Sequence, residues 1–285
     1  MTMSRTTIRR RFFDLSNRQI HYRCRQSDGS RPPLVALHAL PGSARRLEPL
    51  IGALDGRLVV APDLAGLGDS GPHPDANASI QDHAQDMLLL AEGLGLGNVD
   101  LYGTHTGAAV AIEMAITAPS RIRRVVLDGV PLFNPEAIGE LAQRYAPAIE
   151  PDHNGSHLLW AHNFCRDMLL FWPWYDKSAA AARAGGLPSA RDLHCWVLEV
   201  IKGLDAIPGG YRAAFAYRAA ERLPLVSQPA LCISAAADTL DEASRRAADL
   251  LPAGRLISVD GVEAGMAPPG RVAEAMLRFL DEPDD

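Results

Sequence analysis

Short apolar runs alternate with longer amphipathic stretches along most of this chain, and that rhythm limits its fold more than any other feature. The runs Leu34–Leu37, Arg57–Val60, Val99–Tyr102, Arg124–Leu127, Ala230–Ile233 and Arg255–Val259 read as buried strands. Helical patterns lie between them, at Ile80–Leu94, Ala108–Ala118, Leu240–Leu251 and Arg271–Leu280. In the first of these, Asp82, Asp86 and Glu92 are expected to face water while Met87, Leu88 and Ala91 face a sheet. Strands alternating with helices predict an α/β fold with a mostly parallel sheet covered on both faces. The opening segments Thr7–Leu15 and Gln19–Tyr22 read as an antiparallel hairpin at the sheet edge.

The rhythm breaks after Pro131. Residues 133–223 hold no strand-like run but carry helical segments and many aromatics, among them Trp160, Trp172, Trp174 and Trp196. This stretch is expected to be a helical cap inserted into a core formed by residues 1–132 and 224–285. Sites in such sheets form beyond the carboxyl ends of the strands, so a cap rooted there covers the site.

Three loops follow three of the expected strands. They are His38-Ala39-Leu40-Pro41-Gly42-Ser43, Asp63-Leu64-Ala65-Gly66-Leu67-Gly68-Asp69-Ser70 and Gly103-Thr104-His105-Thr106-Gly107. The third has the strand–tight turn–helix context of a nucleophile elbow, with glycines two residues either side of its centre. Its central residue is forced into a strained backbone, and histidine is among the few non-glycine residues enriched at positive φ.

With these three turns in this order, the chain resembles the α/β-hydrolase superfamily over nearly its whole length. It is most similar to the cap-bearing branch of epoxide hydrolases, haloalkane dehalogenases and C–C bond hydrolases. The first loop resembles that branch's His-Gly-x-Pro-Gly turn, with Ala39 in place of the glycine, and the second its Asp-x-x-Gly-x-Gly-x-Ser loop. The resemblance implies Asp238 as the triad acid, Asp241 being read instead as a helix-start residue. It implies the Leu40 and Thr106 amides as oxyanion-hole donors. It also implies His38 as a brace for the loop at the edge of the substrate site.

Two departures follow. The elbow presents His105 where the family has Ser, Cys or Asp, and the family's final Gly-His falls at Val262, with no histidine anywhere after His194. A His105–Asp238 dyad would restore part of the relay, since a carboxylate on one ring nitrogen fixes the tautomer and raises the basicity of the other. Such a site could activate water, attack a carbonyl directly, or move a proton in lyase, decarboxylase or isomerase chemistry. A non-catalytic, ligand-binding use of the pocket is the other reading. The expectation carried forward is a cofactor-independent hydrolase of a small or medium apolar ester, lactone or C–C substrate.

Other residues remain two-sided. Glu263 is either an exposed loop acid or a substitute base or partner for His105. His162 and Arg166 share a helix face through their i, i+4 spacing. That face either looks onto the substrate or is a surface with an internal Arg–Asp pair. Trp172, in the rigid run Phe171-Trp172-Pro173-Trp174-Tyr175, either lines the pocket or fills the cap's own core.

The formal charge of −6, from 28 Lys+Arg against 34 Asp+Glu, gives no general attraction for nucleic acid or an anionic membrane. Arg5, Arg9, Arg10 and Arg11 read as a solvated leader. Four scattered cysteines without a C-x-x-C pair suit a reducing cytoplasm and argue against a zinc site. No signal peptide or membrane span is expected. His153, His157 and His162 lack a metal-ligand spacing, and no Gly-x-Gly-x-x-Gly follows the first parallel strand, so no metal or nucleotide cofactor is expected. A small molecule is the expected partner, and a homodimer is admissible.

Overall fold

The computed structural model describes residues 7–27, 29–183, 185–236, 238–261 and 267–283. Among these, eight strands form one sheet: β1 (Ile8–Leu15), β2 (Arg18–Arg25), β3 (Leu34–Leu37), β4 (Val59–Pro62), β5 (Val99–Thr104), β6 (Ile122–Asp128), β7 (Ala230–Ser234) and β8 (Gly254–Ser258). Their spatial order is β1-β2-β4-β3-β5-β6-β7-β8. The β1–β2 hairpin joins antiparallel to β4, and every later pairing is parallel. Arg9, Arg10 and Arg11 lie within β1 itself rather than in a leader, exposed on an edge strand where charge discourages further pairing.

Successive residues of a strand point to opposite faces, and the core divides accordingly. Leu34, Ala36, Val59, Ala61, Val126, Leu231 and Ile233 pack with α1 (Glu48–Ala53) and α10 (Pro269–Leu280). Val35, Leu37, Val60, Leu101, Val125, Leu127 and Cys232 pack with α2 (Ile80–Gly93), α3 (Thr106–Thr117) and α9 (Asp241–Leu250). The apolar runs are continuous because both faces are covered. α2 starts at a capping box, with Ser79 accepting from the Asp82 N–H and Asp82 accepting from Ser79. Asp86 does not face water as its helical position suggested. It is buried and paired with Arg18 of β2.

Between β6 and β7 come α4 (Pro135–Arg144), α5 (Ser156–Leu170), α6 (Ala190–Lys202), α7 (Ile207–Ala216) and α8 (Ala219–Arg222). A lone bridge pairs Phe171 with Ala182. These helices share one continuous apolar cluster with the sheet. Two polar anchors add direction. Buried Glu113 of α3 accepts from the Tyr217 hydroxyl at 2.9 Å and from Arg222 Nε and Nη2 at 2.7 and 2.9 Å. The first loop accepts from Trp196 Nε1 at the Pro41 carbonyl, at 2.7 Å, and from the Tyr211 hydroxyl at the Leu40 carbonyl, at 3.1 Å.

Candidate active site

His105 sits between the last residue of β5 and the first of α3, at φ 51° and ψ −113°. It is the one non-glycine residue with positive φ among those described. Its N–H donates to the Asp128 carbonyl at 2.9 Å, and its carbonyl accepts from the Ala108 N–H at 2.9 Å. The flanking glycines are required by space. A Cβ on Gly103 would lie 2.3 Å from the Gly107 carbonyl oxygen, and one on Gly107 would lie 2.3 Å from that of Leu37. Strand, turn and helix therefore approach more closely than any side chain allows.

The His105 ring is held on two sides. Nε2 lies 2.9 Å from Asp238 Oδ2, while Asp238 Oδ1 accepts the Leu240 N–H at 2.8 Å. The Cδ2–Nε2 edge rests over Gly129, where a Cβ would come within 2.5 Å of Cδ2 and 2.7 Å of Nε2. With Nε2–H donating to the carboxylate, the neutral ring keeps its lone pair on Nδ1, on the edge turned away from Gly129. Burial pulls the imidazole pKa down, but the charge and hydrogen bond of Asp238 outweigh it and hold it above 6.5. Burial pushes Asp238 up, and His105, the Leu240 N–H and Arg183 together draw it below its usual 3.8.

A cavity of about 190 Å³ opens on this pair. Its floor is the first loop, the elbow and Asp238, and its roof comes from Tyr145, Trp172, Tyr211 and Phe215 of the segment between β6 and β7. Tyr145 packs tilted against Trp172, with ring centroids 5.3 Å apart. Neither the Leu40 nor the Thr106 N–H makes a hydrogen bond among the described residues, and both residues line the cavity. His38 Nε2 accepts the Leu64 N–H at 3.0 Å, which requires Nδ1 to carry the proton it gives to the Ala39 carbonyl at 2.9 Å. Nε2 thus ties the first loop to the second while Nδ1 braces the first loop itself, and burial lowers the pKa of the ring, keeping it neutral. In the second loop the Asp63 carboxylate accepts from His21, Ala44 and Asp69.

The other sequence candidates divide. Trp172 lines the cavity. His162 and Arg166 do not: His162 is exposed on α5, and Arg166 Nε donates to the neighbouring Asp167 at 2.7 Å. Their shared face is a surface with an internal ion pair. Asp241 opens α9 and accepts from the Ser234 hydroxyl, a helix-start role. Val262 and Glu263 lie outside the described residues.

The cavity residues that escaped the sequence reading include the polar Arg46, Tyr102, Asp128 and Arg183. The Arg46 guanidinium lies 4.1 Å from the Trp196 ring centroid, a cation–π distance. Arg183 Nη1 donates to the Met168 carbonyl at 2.6 Å. Tyr102 O–H donates to Asp128 Oδ2 at 2.7 Å. Asp128 had a usable signal, as a carboxylate at the carboxyl end of an apolar strand where such sites form. Arg46 and Arg183 had none, because their aim depends on packing across the loop and the inserted helices.

The same architecture recurs in solved structures of low identity, where likeness shows the fold alone. Epoxide hydrolase A from Mycobacterium thermoresistibile superposes with a TM-score of 0.73 at 24% identity, covering 96% of this chain and 98% of that one. The enol-lactonase from Burkholderia xenovorans gives 0.72 at 19% identity, covering 95% and 100%. A family model of the α/β-hydrolase fold matches residues 32–157, the segment holding the first loop, the second loop and the elbow. The chain has the α/β-hydrolase fold, and its residues 32–157 are similar to that family. It is 34% identical over 95 residues to a 2-hydroxymuconate semialdehyde hydrolase of Pseudomonas putida, spanning 33% of this chain and 34% of the relative. It is 36% identical over 105 residues to a soluble epoxide hydrolase of a Corynebacterium, spanning 36% of each. A third relative, the 3-hydroxybutyrate-oligomer hydrolase of Cupriavidus necator, is matched over 37% of its length. The chain thus spans about a third of the length of these curated relatives. Among the described residues, no helix is long and apolar enough to cross a membrane.

Proposed function

We propose that this α/β-hydrolase-fold chain is a cofactor-independent hydrolase of a small apolar ester, lactone or C–C substrate, with His105 as its base and Asp238 as the group that orients it. The reading rests on one observation: His105 Nε2 is bonded to Asp238 at 2.9 Å, leaving Nδ1 as the ring's available base. In this reading Nδ1 takes a proton from a water molecule as its oxygen attacks the scissile carbonyl. Asp238 stabilises the imidazolium so formed. The unengaged Leu40 and Thr106 amides receive the oxyanion, in a cavity with apolar walls where such donors act most strongly. Direct attack by Nδ1 is disfavoured because that nitrogen is flanked by its own Cβ, which would crowd an acyl group. The names of the relatives and the superfamily itself support hydrolysis. The cavity volume of about 190 Å³ lies below the roughly 300–1,000 Å³ of pockets that take drug-sized ligands, supporting a small substrate.

The test is a panel of short esters and lactones in H₂¹⁸O, with wild type and His105→Ala. Wild type is expected to place one ¹⁸O in the acid product, and the variant to lose roughly 10²- to 10⁴-fold in kcat/KM. Equal turnover by both proteins would overturn the reading. Solvent deuterium on product carbon without ¹⁸O would assign lyase or decarboxylase chemistry instead, and a ligand retained unchanged would assign binding alone.

A further inference from the structure

We propose that Asp128, at the end of β6, is the general acid of this site and delivers the proton that the leaving group takes. The inference rests on the hydrolytic reading above and adds a second proton-bearing group to it. Asp128, the last residue of β6, and Asp238, in the loop after neighbouring β7, are carboxylates lining one cavity with His105. Two like charges so placed are not both held cheaply away from water, so a proton settles on the less supported one. Asp238 is the better supported: it has the His105 Nε2–H and the Leu240 N–H. Among the described residues, Asp128 Oδ2 receives one hydrogen bond, from Tyr102. Burial, and then the charge of Asp238, push the Asp128 carboxyl up to about 6 against the pull of Tyr102 and His105. Tyr102 itself is driven far above its usual range by burial and by Asp128, so it stays a donor and is not the acid.

The clamped imidazole explains why a separate acid is needed. Gly129 beneath the ring and Asp238 at Nε2 fix its orientation, and no histidine follows His194 in the chain to serve as a second shuttle. For an ester, the water oxygen forms a bond to the acyl carbon and gives its proton to His105 Nδ1. The bond from the acyl carbon to the leaving oxygen then breaks. Its electron pair stays on that oxygen, which takes the Asp128 proton and departs as an alcohol. The proton on Nδ1 exchanges with solvent and Asp128 is reprotonated, which restores the reacting form, the minor one because His105 is held above 6.5 and Asp128 at about 6.

The experiment is a series of acetate esters with leaving groups from p-nitrophenol through phenol to simple alkanols, assayed with wild type, Asp128→Asn and His105→Ala. An acid donor matters most where the leaving group is most basic. Wild type is expected to show a shallow dependence of kcat/KM on leaving-group pKa. Asp128→Asn is expected to lose activity throughout, with alkyl esters falling at least tenfold further than the p-nitrophenyl ester. His105→Ala is expected to lose activity evenly across the series. A steep dependence in wild type overturns the proposal without needing any variant to fold, and so does an equal fall of all esters in folded Asp128→Asn. Unimpaired His105→Ala across the series would instead sink the underlying hydrolytic reading.

Discussion

Gly129 lies directly beneath the His105 imidazole, and the space a methyl group would need there is already taken by the ring. A Cβ at residue 129 would sit 2.5 Å from His105 Cδ2, 2.7 Å from Nε2 and 2.9 Å from Asp238 Oδ2. The position also has φ +76°, which costs an L-residue roughly 1–2 kcal/mol. Gly129→Ala is therefore expected to do two separable things. It lowers stability by about that amount, and it displaces the ring from its acid, cutting kcat/KM by on the order of 10²-fold, as small misplacements do. Thermal melts and steady-state kinetics on the same preparation separate the two. Full activity in a destabilised variant would show that the ring's seat has no catalytic importance.

The His105–Asp238 pair gives a pH signature in stability. His105 is held above 6.5, so its contribution is complete below 6.5 and is lost as pH rises through its folded value. Asp238 is held below 3.8, so its contribution is complete above 3.8 and is lost as pH falls through its folded value. Both are present together between about pH 3.8 and 6.5. His105→Asn keeps a residue tolerant of positive φ while removing the imidazole. The difference in Tm between wild type and this variant is expected to be greatest in that window and to shrink on either side. A difference that stays flat from pH 5 to 9 would mean the pair does not ionise as argued.

Much of this arrangement can be read from residues close together in the sequence. Each strand run and each turn is a local pattern, and the elbow glycines announce how tightly β5 meets α3. The His105–Asp238 contact could be anticipated because both residues lie in loops beyond the carboxyl ends of strands, His105 directly after β5 and Asp238 farther along the loop after β7. What escaped depends on partners far along the chain. Asp86 looks solvent-facing on its own helix and is buried only because Arg18, from the hairpin, reaches it. The helix face of His162 and Arg166 is as polar as a binding face would be, and only the packing of α5 shows which way it looks. Arg46 is indistinguishable from Arg45 in sequence, yet Arg46 stacks on Trp196 while Arg45 donates to Cys195 and Glu199.

Glu113 offers a test of how the inserted helices are held to the sheet. It is 1% exposed, inside an otherwise apolar α3, and its carboxylate takes a two-pronged bond from Arg222 and a third from Tyr217. Removing one partner of a buried pair leaves the others unsatisfied, at a cost of about 3–5 kcal/mol. Arg222 is partly exposed and can turn to water, which places Glu113→Ala at the lower end, about 3 kcal/mol. Glu113→Gln retains an acceptor for Tyr217 and is expected to lose less. Urea denaturation of the three proteins checks the order. A neutral Glu113→Ala would mean that apolar packing alone fixes the inserted segment.

The oxyanion loop is expected to depend on the inserted helices as well. The carbonyls of Leu40 and Pro41 are each pinned by a side chain from that segment, Tyr211 at 3.1 Å and Trp196 at 2.7 Å. In the proposed mechanism the Leu40 N–H must stay aimed into the cavity, and these two bonds fix the two peptides that directly follow it. Tyr211→Phe and Trp196→Phe delete a donor each while keeping an aromatic ring. If the bonds position the amide, each variant lowers kcat by roughly 10- to 100-fold with a smaller change in KM, because the donor is needed more in the transition state than in the ground state. A transition-state mimic such as a short alkyl boronate should lose affinity in the same proportion. Loss of KM alone, with kcat and boronate affinity intact, would reduce Tyr211 and Trp196 to walls of the pocket.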